Sequence, residues 1–287
     1  MITPGTASLL ELLARAVDRD GRVRGLTPER YATTHAAYEA VSDQRGKVLA
    51  WLLDEIPARV ERITDRPVAV LGVGVGDGSV DGPLAARLAA DERAVDYHGV
   101  EPHRPSLDRF TSRLGGLGRP RLQVTASTSD FGTFTGRGPY DVVHFVHSLY
   151  YVADVGGAID HAMGLLRPGG CLVALTSPRE PLSVLASLLA PQTTHPQWFA
   201  ESVGAELAAR DLPTTTTTID GRLDLSTSRG DPDGLGEQIL DFLIQARSAD
   251  LSPEVRALVD AHLDDIAFAD EPSVVPHPLT AMVVTAP

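Results

Sequence analysis

Cysteine, lysine and long apolar runs are scarce in this sequence, and each scarcity removes a class of function. The single cysteine, Cys171 in the apolar run "CLVALTS", leaves no intramolecular disulfide to form and reads as a small buried strand residue. Lys47 is the only lysine; 25 basic residues face 38 acidic ones, for a net charge of −13. Binding to nucleic-acid phosphates or an anionic membrane surface needs clustered positive charge, so neither partner is expected. No apolar stretch approaches the roughly 18 residues of a membrane span. The first residues lack a basic region, and Leu9, Leu10, Leu13 and Val17 recur at helical spacing between charges. They predict an amphipathic helix rather than a signal peptide, and a cytoplasmic protein. The acidic "DPDG" (231–234) and "LDD" (263–265) have no His or Cys at ligand spacing, so no metal is expected. Nothing in the sequence sets an oligomeric state.

What is present is an alternation of strands and helices. The 287 residues are 43% hydrophobic and 22% charged, ordinary for a globular protein with a core. Residues 1–66 read as helical: Thr27 and Pro28 open one helix, and Ser42 opens another that Pro57 ends or bends. From residue 67, "PVAVLGV", "AVDYHGVEP", "RLQVTAS", "YDVVHFVHS" and "CLVALTS" read as strands with helices between them. "LLRPGG" reads as a helix stop and turn before the fifth strand, "TTTTTIDGRLDLS" as one later strand, and "PLTAMVVTAP" as the last. This order predicts an α/β, Rossmann-like, mostly parallel sheet with helices on both faces. The expected organisation is an N-terminal helical cap (1–66) that closes the acceptor pocket, and a sheet domain (67–287) with substrate-covering helices within 178–275.

The first strand runs into "VLGVGVGDGSVDG". In an open parallel sheet, ligands sit beyond the C-terminal strand ends, and glycines let backbone approach them closely. No frame gives the G-x-G-x-x-G of a dinucleotide site. The run is Gly74-Val75-Gly76-Asp77-Gly78, with Asp81 close behind. Acidic side chains beside a pyrophosphate repel it, whereas a nucleoside with a positive centre suits them. S-adenosyl-L-methionine is such a ligand. Glu101 ends the second strand about twenty residues later, where a carboxylate accepts from ribose hydroxyls.

"VLGVGVGDG", "GVEP", "YDVVHFVHSLYYV" and "LLRPGG" resemble the successive motifs of class I S-adenosylmethionine-dependent methyltransferases. More narrowly, "HSLYYV" with the distant "ILDFL" and the final "PLTAMVVTA" resembles the histamine N-methyltransferase family, over roughly residues 30–286. The resemblance implies a last strand antiparallel to the others in a seven-stranded sheet. It implies that Gly74, Gly76 and Gly78 wrap the methionine part and that Glu101 holds the ribose. Ser106, Thr128 and Val146 complete the cofactor set, Thr128 at the adenine. On the acceptor side the family's early carboxylate is Gln44 here, with Asp43 beside it. Its two strand-end amides are His147 and His277, and its imidazole-flanking aromatics have no counterpart in "SPREPLSVLAS". These departures point away from histamine.

Methyl transfer is an in-line displacement that depends on positioning. A hydroxyl, phenol or ammonium acceptor also needs a base, and histidine titrates near neutrality. His147 and His277 are the catalytic candidates, with Gln44, Tyr150 and Tyr151 as acceptor contacts. Trp198 and Phe199 fall in the region expected to cover the acceptor. The expected activity is methyl transfer to nitrogen or oxygen of a small molecule, in specialised metabolism. Cyclisation or aminocarboxypropyl transfer from the same cofactor, or a non-catalytic binding module, are the alternatives.

Overall fold

The computed structural model describes residues 8–21, 23–63, 65–136, 138–189, 197–227 and 234–287. Three helices come first: α1 (Leu9–Asp20), α2 (Pro28–Ala40) and α3 (Gln44–Val60). Alternation follows, through β1 (Val68–Val73), α4 (Asp81–Leu88), β2 (Val95–Val100), α5 (Arg104–Gly115), β3 (Leu122–Ser127), β4 (Tyr140–Val146), α6 (Val155–Leu165) and β5 (Leu166–Thr176). Then come α7 (Pro181–Leu189), α8 (Ala200–Ala208), β6 (Thr214–Ile219), β7 (Arg222–Asp224), α9 (Leu235–Ile244), α10 (Pro253–Asp265), β8 (Val274–Pro276) and β9 (Leu279–Thr285). The caps are local chemistry: Ser8 and Glu11 form a capping box on α1, Thr27 accepts from the Arg30 amide, and Asp154 caps α6.

The chain forms two compact units. One comprises Gly46–Pro178, His195–Ile219 and Leu279–Pro287. It holds a seven-stranded sheet in the order β3-β2-β1-β4-β5-β9-β6, parallel except for β9, which runs antiparallel to both its neighbours. The expected Rossmann-like sheet is therefore present. Strand alternation splits its core between two faces. Val68 and Val70 of β1 pack with Leu52, Ile56, Leu84 and Phe110, while Leu71 and Val73 pack with Phe145, Ile159, Val203 and Leu207. The other unit comprises Met1–Arg45, Arg179–Thr194 and Asp220–Pro278. Its core joins Leu13 and Val17 of α1, Leu185 of α7, Leu240 and Leu243 of α9, Val259 of α10, and the β7–β8 pair.

Three local readings change. Pro57 does not end its helix: α3 continues to Val60, because Ile56 and Val60 are both buried and hold the last turn on the core. The threonine-rich stretch is two strands, β6 and β7, in different sheets and different units. "RPGG" is not a turn before β5 but an irregular start to it. Pairing jumps from Tyr140–Leu166 to Val142–Cys171, and Gly170 packs against the Tyr140 and Asp141 carbonyls. Among the described residues, no helix is long and apolar enough to cross a membrane.

Candidate functional site

β1 ends in a turn that only glycine accommodates easily. Gly74, Gly76 and Gly78 take φ of +69°, +53° and +75°. The Gly74 amide donates to the Val100 carbonyl at 2.8 Å, tying the turn to the end of β2. One residue on, Glu101 bridges two elements: its Oε2 accepts from the Gly76 amide at 3.0 Å and its Oε1 from the His103 amide at 2.9 Å. Ser106 Oγ meets His103 Nδ1 at 2.8 Å and accepts from Arg109. The structure thus brings the glycines, Glu101 and Ser106 to one strand-end crevice. Thr128 is exposed just past β3, and Val146 is half-buried at the end of β4.

The two acids near the turn do something other than the sequence suggests. Asp77 accepts from the Ser79 amide and pairs with Arg113 of α5 at 2.9 Å, so its charge is met by protein. Asp81 is buried, and its Oδ1 accepts from Tyr97 OH at 2.8 Å. Tyr97 OH is also 2.8 Å from His144 Nε2. Burial, with the negative charge of Asp81, holds the Tyr97 phenol well above its ordinary range. Gly72 sits in β1, not in the turn. A methyl group there would come within 2.8 Å of Asp81 Oδ1 and 3.0 Å of His144 Nε2. Tyr97 was legible only as an inward residue of β2; its hydroxyl's partners come from α4 and β4, which no local pattern connects.

Two observations fit this crevice to a bound nucleoside. The space beside Gly76 is open, with no atom within 4 Å of where a Cβ would stand. Ser148 Oγ, packed against Gly74, is buried without a hydrogen-bond partner among the described residues. Comparisons with known proteins specify the class. Residues 71–172 match the family model described as a methyltransferase domain. The domain is a class I S-adenosylmethionine-dependent methyltransferase domain. Its cofactor is S-adenosylmethionine. The chain is 27% identical over 172 residues to histamine N-methyltransferase A from Xenopus laevis, covering 54% of this chain and 58% of that protein. The chain thus spans little more than half the length of this curated relative. Among solved structures, a putative methyltransferase from Bacillus halodurans superposes with a TM-score of 0.54 at 13% identity, covering 83% of this chain and 98% of that one. The plantazolicin methyltransferase BpumL, solved with S-adenosylhomocysteine and a pentazolic desmethylPZN analogue, gives 0.54 at 12% identity and 97% coverage of both chains.

His147 follows β4 directly in the methyltransferase domain, at φ +54°, and its amide donates to the Leu175 carbonyl of β5. A left-handed conformation is uncommon for a residue with a side chain and clusters at functional positions. Its Nδ1 lies 3.3 Å from Tyr150 OH. Tyr150 OH in turn accepts from the Ser177 amide at 2.6 Å and meets Ser177 Oγ at 2.9 Å. Burial pushes the Tyr150 phenol up from its ordinary value. The Tyr150 hydroxyl is thus engaged by both Ser177 and His147. Tyr151 is 66% exposed. Trp198 Nε1 donates to the Val152 carbonyl at 2.8 Å and its ring packs on the sheet's α6–α8 face; Phe199 is buried.

His277 and Gln44 lie in the other compact unit. Tyr38 OH and Ser42 Oγ each sit 2.9 Å from a His277 ring nitrogen. Gln44 is buried and its side-chain amide donates to the His277 and Pro278 carbonyls, leaving Oε1 as its remaining polar atom. Tyr31, His35 and Tyr38 share one face of α2 and pack with Phe242 of α9, an aromatic group spread over too many residues to read locally. Burial lowers the His277 imidazole from 6.5 to about 4, outweighing attraction by Asp43. A neutral ring with both nitrogens engaged is a hydrogen-bonding group and a weak proton acceptor at pH 7. Between pH 6.5 and about 4 the unfolded state binds more protons at this site, so the contribution of His277 to stability is full above that window and is lost as pH falls through it. We expect His277→Gln to reduce the drop in urea midpoint between pH 7 and pH 4.5; an undiminished drop places the titration elsewhere. Among the described residues no three His, Cys, Asp or Glu side chains gather as a metal ion requires. Residues 231–233 of "DPDG" lie outside the described residues.

Proposed function

We propose that this chain transfers the methyl group of S-adenosylmethionine to nitrogen or oxygen of a small-molecule acceptor in specialised metabolism, and that the acceptor is not histamine. The reading rests on His147, a strained residue at the end of β4 whose Nδ1 is held by Tyr150. The bound cofactor supplies an electrophilic methyl group on sulfur. Glu101 keeps two carboxylate oxygens fixed by the Gly76 and His103 amides, with lone pairs left for the ribose hydroxyls. The glycine turn gives the backbone close access to the cofactor's methionyl end. His147, oriented through Nδ1, positions the acceptor and takes its proton at Nε2 when the nucleophile is a hydroxyl, phenol or ammonium. Similar proteins are named for histamine and for plantazolicin, and Gln44, His147 and His277 are the positions at which the resemblance to the histamine N-methyltransferase family breaks.

The test is a panel of amines, phenols and carboxylic acids with isotopically labelled cofactor, read as S-adenosylhomocysteine formed. With the acceptor found, His147→Ala is expected to lower kcat about a hundredfold, the usual scale of a lost general base, with S-adenosylhomocysteine affinity unchanged. Methylthioadenosine as the nucleoside product, or full kcat in the variant, removes this assignment.

A further inference from the structure

A buried carboxylate lies against the last residues of β1, and nothing in the proposed transfer uses it. Asp81, the first residue of α4, is 3% exposed, and His144 is 2% exposed. Asp81 Oδ1 accepts from Tyr97 OH at 2.8 Å and stands 3.4 Å from His144 Nε2. His144 Nδ1 is buried and has no hydrogen-bond partner among the described residues. His144 Nε2 faces the Tyr97 hydroxyl at 2.8 Å, beside the carboxylate rather than hydrogen-bonded to it. Asp77, four residues earlier, has Arg113 as its counterion. Asp81 pairs with no lysine or arginine among the described residues. Its carboxylate is therefore held by the neutral Tyr97 hydroxyl, with no lysine or arginine to balance its charge.

The position of that charge matters. Asp81 Oδ1 packs against Gly72, and two residues of extended chain, about 7 Å, separate Gly72 from the first glycine of the turn. A buried charge acts across such a distance with only partial screening by solvent. The cofactor before transfer carries a sulfonium; after transfer it is a neutral thioether. We propose that Asp81 is a specificity-determining residue that favours the cationic cofactor over its neutral product, and so promotes exchange of one for the other after each turnover. The proposal rests on the cofactor assignment. It concerns a residue that touches β1 and β2 rather than the ligand.

Calorimetric titration with three ligands tests it: S-adenosylmethionine, S-adenosylhomocysteine, and the unreactive analogue with an amine-bearing carbon in place of the sulfonium. Asp81→Asn keeps an oxygen to accept from Tyr97 and removes the charge. The two cationic ligands are expected to weaken about tenfold, as loss of one partly screened charge at this range implies, with S-adenosylhomocysteine held within about twofold. Tyr97→Phe, which keeps the carboxylate, is expected to retain the preference for cations. Should Asp81→Asn fail to fold, Asp81→Ser carries the same comparison. Equal weakening of all three ligands, or no change in any, overturns the proposal. Wild-type protein that binds none of the three overturns the cofactor assignment instead.

Discussion

Glu101→Ala is expected to weaken S-adenosylhomocysteine binding by about a hundredfold or more. Two hydrogen bonds from ribose hydroxyls to a charged acceptor contribute about 1.5–3 kcal/mol each, and about 3 kcal/mol is already more than a hundredfold in Kd. The carboxylate is also the bridge between the glycine turn and the start of α5, through the Gly76 and His103 amides. Glu101→Gln is therefore not a mild change. Both carboxylate oxygens accept from backbone N–H groups, and a glutamine has one acceptor oxygen to offer. Its NH2 must face one of those amides, donor against donor. We expect Gln to lose nearly as much affinity as Ala. Isothermal titration settles it, and a Gln variant within threefold of wild type means that the carboxylate does not hold the ribose.

The turn glycines should separate into two kinds. Gly74→Ala places a methyl 2.4 Å from the Ser148 Cβ, in a backbone conformation of φ +69°. The left-handed backbone costs about 1–2 kcal/mol, and forcing a carbon into a packed site costs about 1–3 kcal/mol more. Ser148 is buried and cannot step aside into solvent. Stability to urea is thus expected to fall by about 3 kcal/mol. Gly76→Ala meets no atom within 4 Å. It should lose only about 1 kcal/mol of stability, from φ alone, while its methyl enters the open space beside the turn. Its S-adenosylhomocysteine affinity is expected to fall about tenfold or more, the consequence of denying the ligand close backbone approach. If Gly76→Ala binds normally, the cofactor does not lie along that side of the turn.

The parts of the fold that the sequence discloses are those with local causes. Continuous apolar strands, proline near a helix start and threonine or serine caps all act within a few residues, and the alternating sheet follows from their order. Glu101 was legible for the same reason: it ends a strand at a fixed interval after a glycine run. Partners supplied from a distance were not. Asp77 and Asp81 read as a pair of acids facing a ligand, yet one turns to Arg113 and the other goes under β1 to Tyr97. Tyr150 read as an acceptor contact because it follows β4; its hydroxyl is taken up by Ser177, which arrives from the end of β5. His277 read as a base because of its residue type, and Tyr38, Ser42 and burial make it a neutral hydrogen-bonding ring. Pro57 shows the same limit in the backbone, where burial of Ile56 and Val60 overrides a local helix breaker.

The place of β9 between β5 and β6 has a consequence for biosynthesis. β6 has one neighbour in the sheet, β9, and the whole of residues 220–278 is translated between them. While that stretch leaves the ribosome, β6 is a strand with no ladder to join. Its run of threonines carries polar groups on both faces, which suits a segment that must wait in water without adhering to other nascent chains.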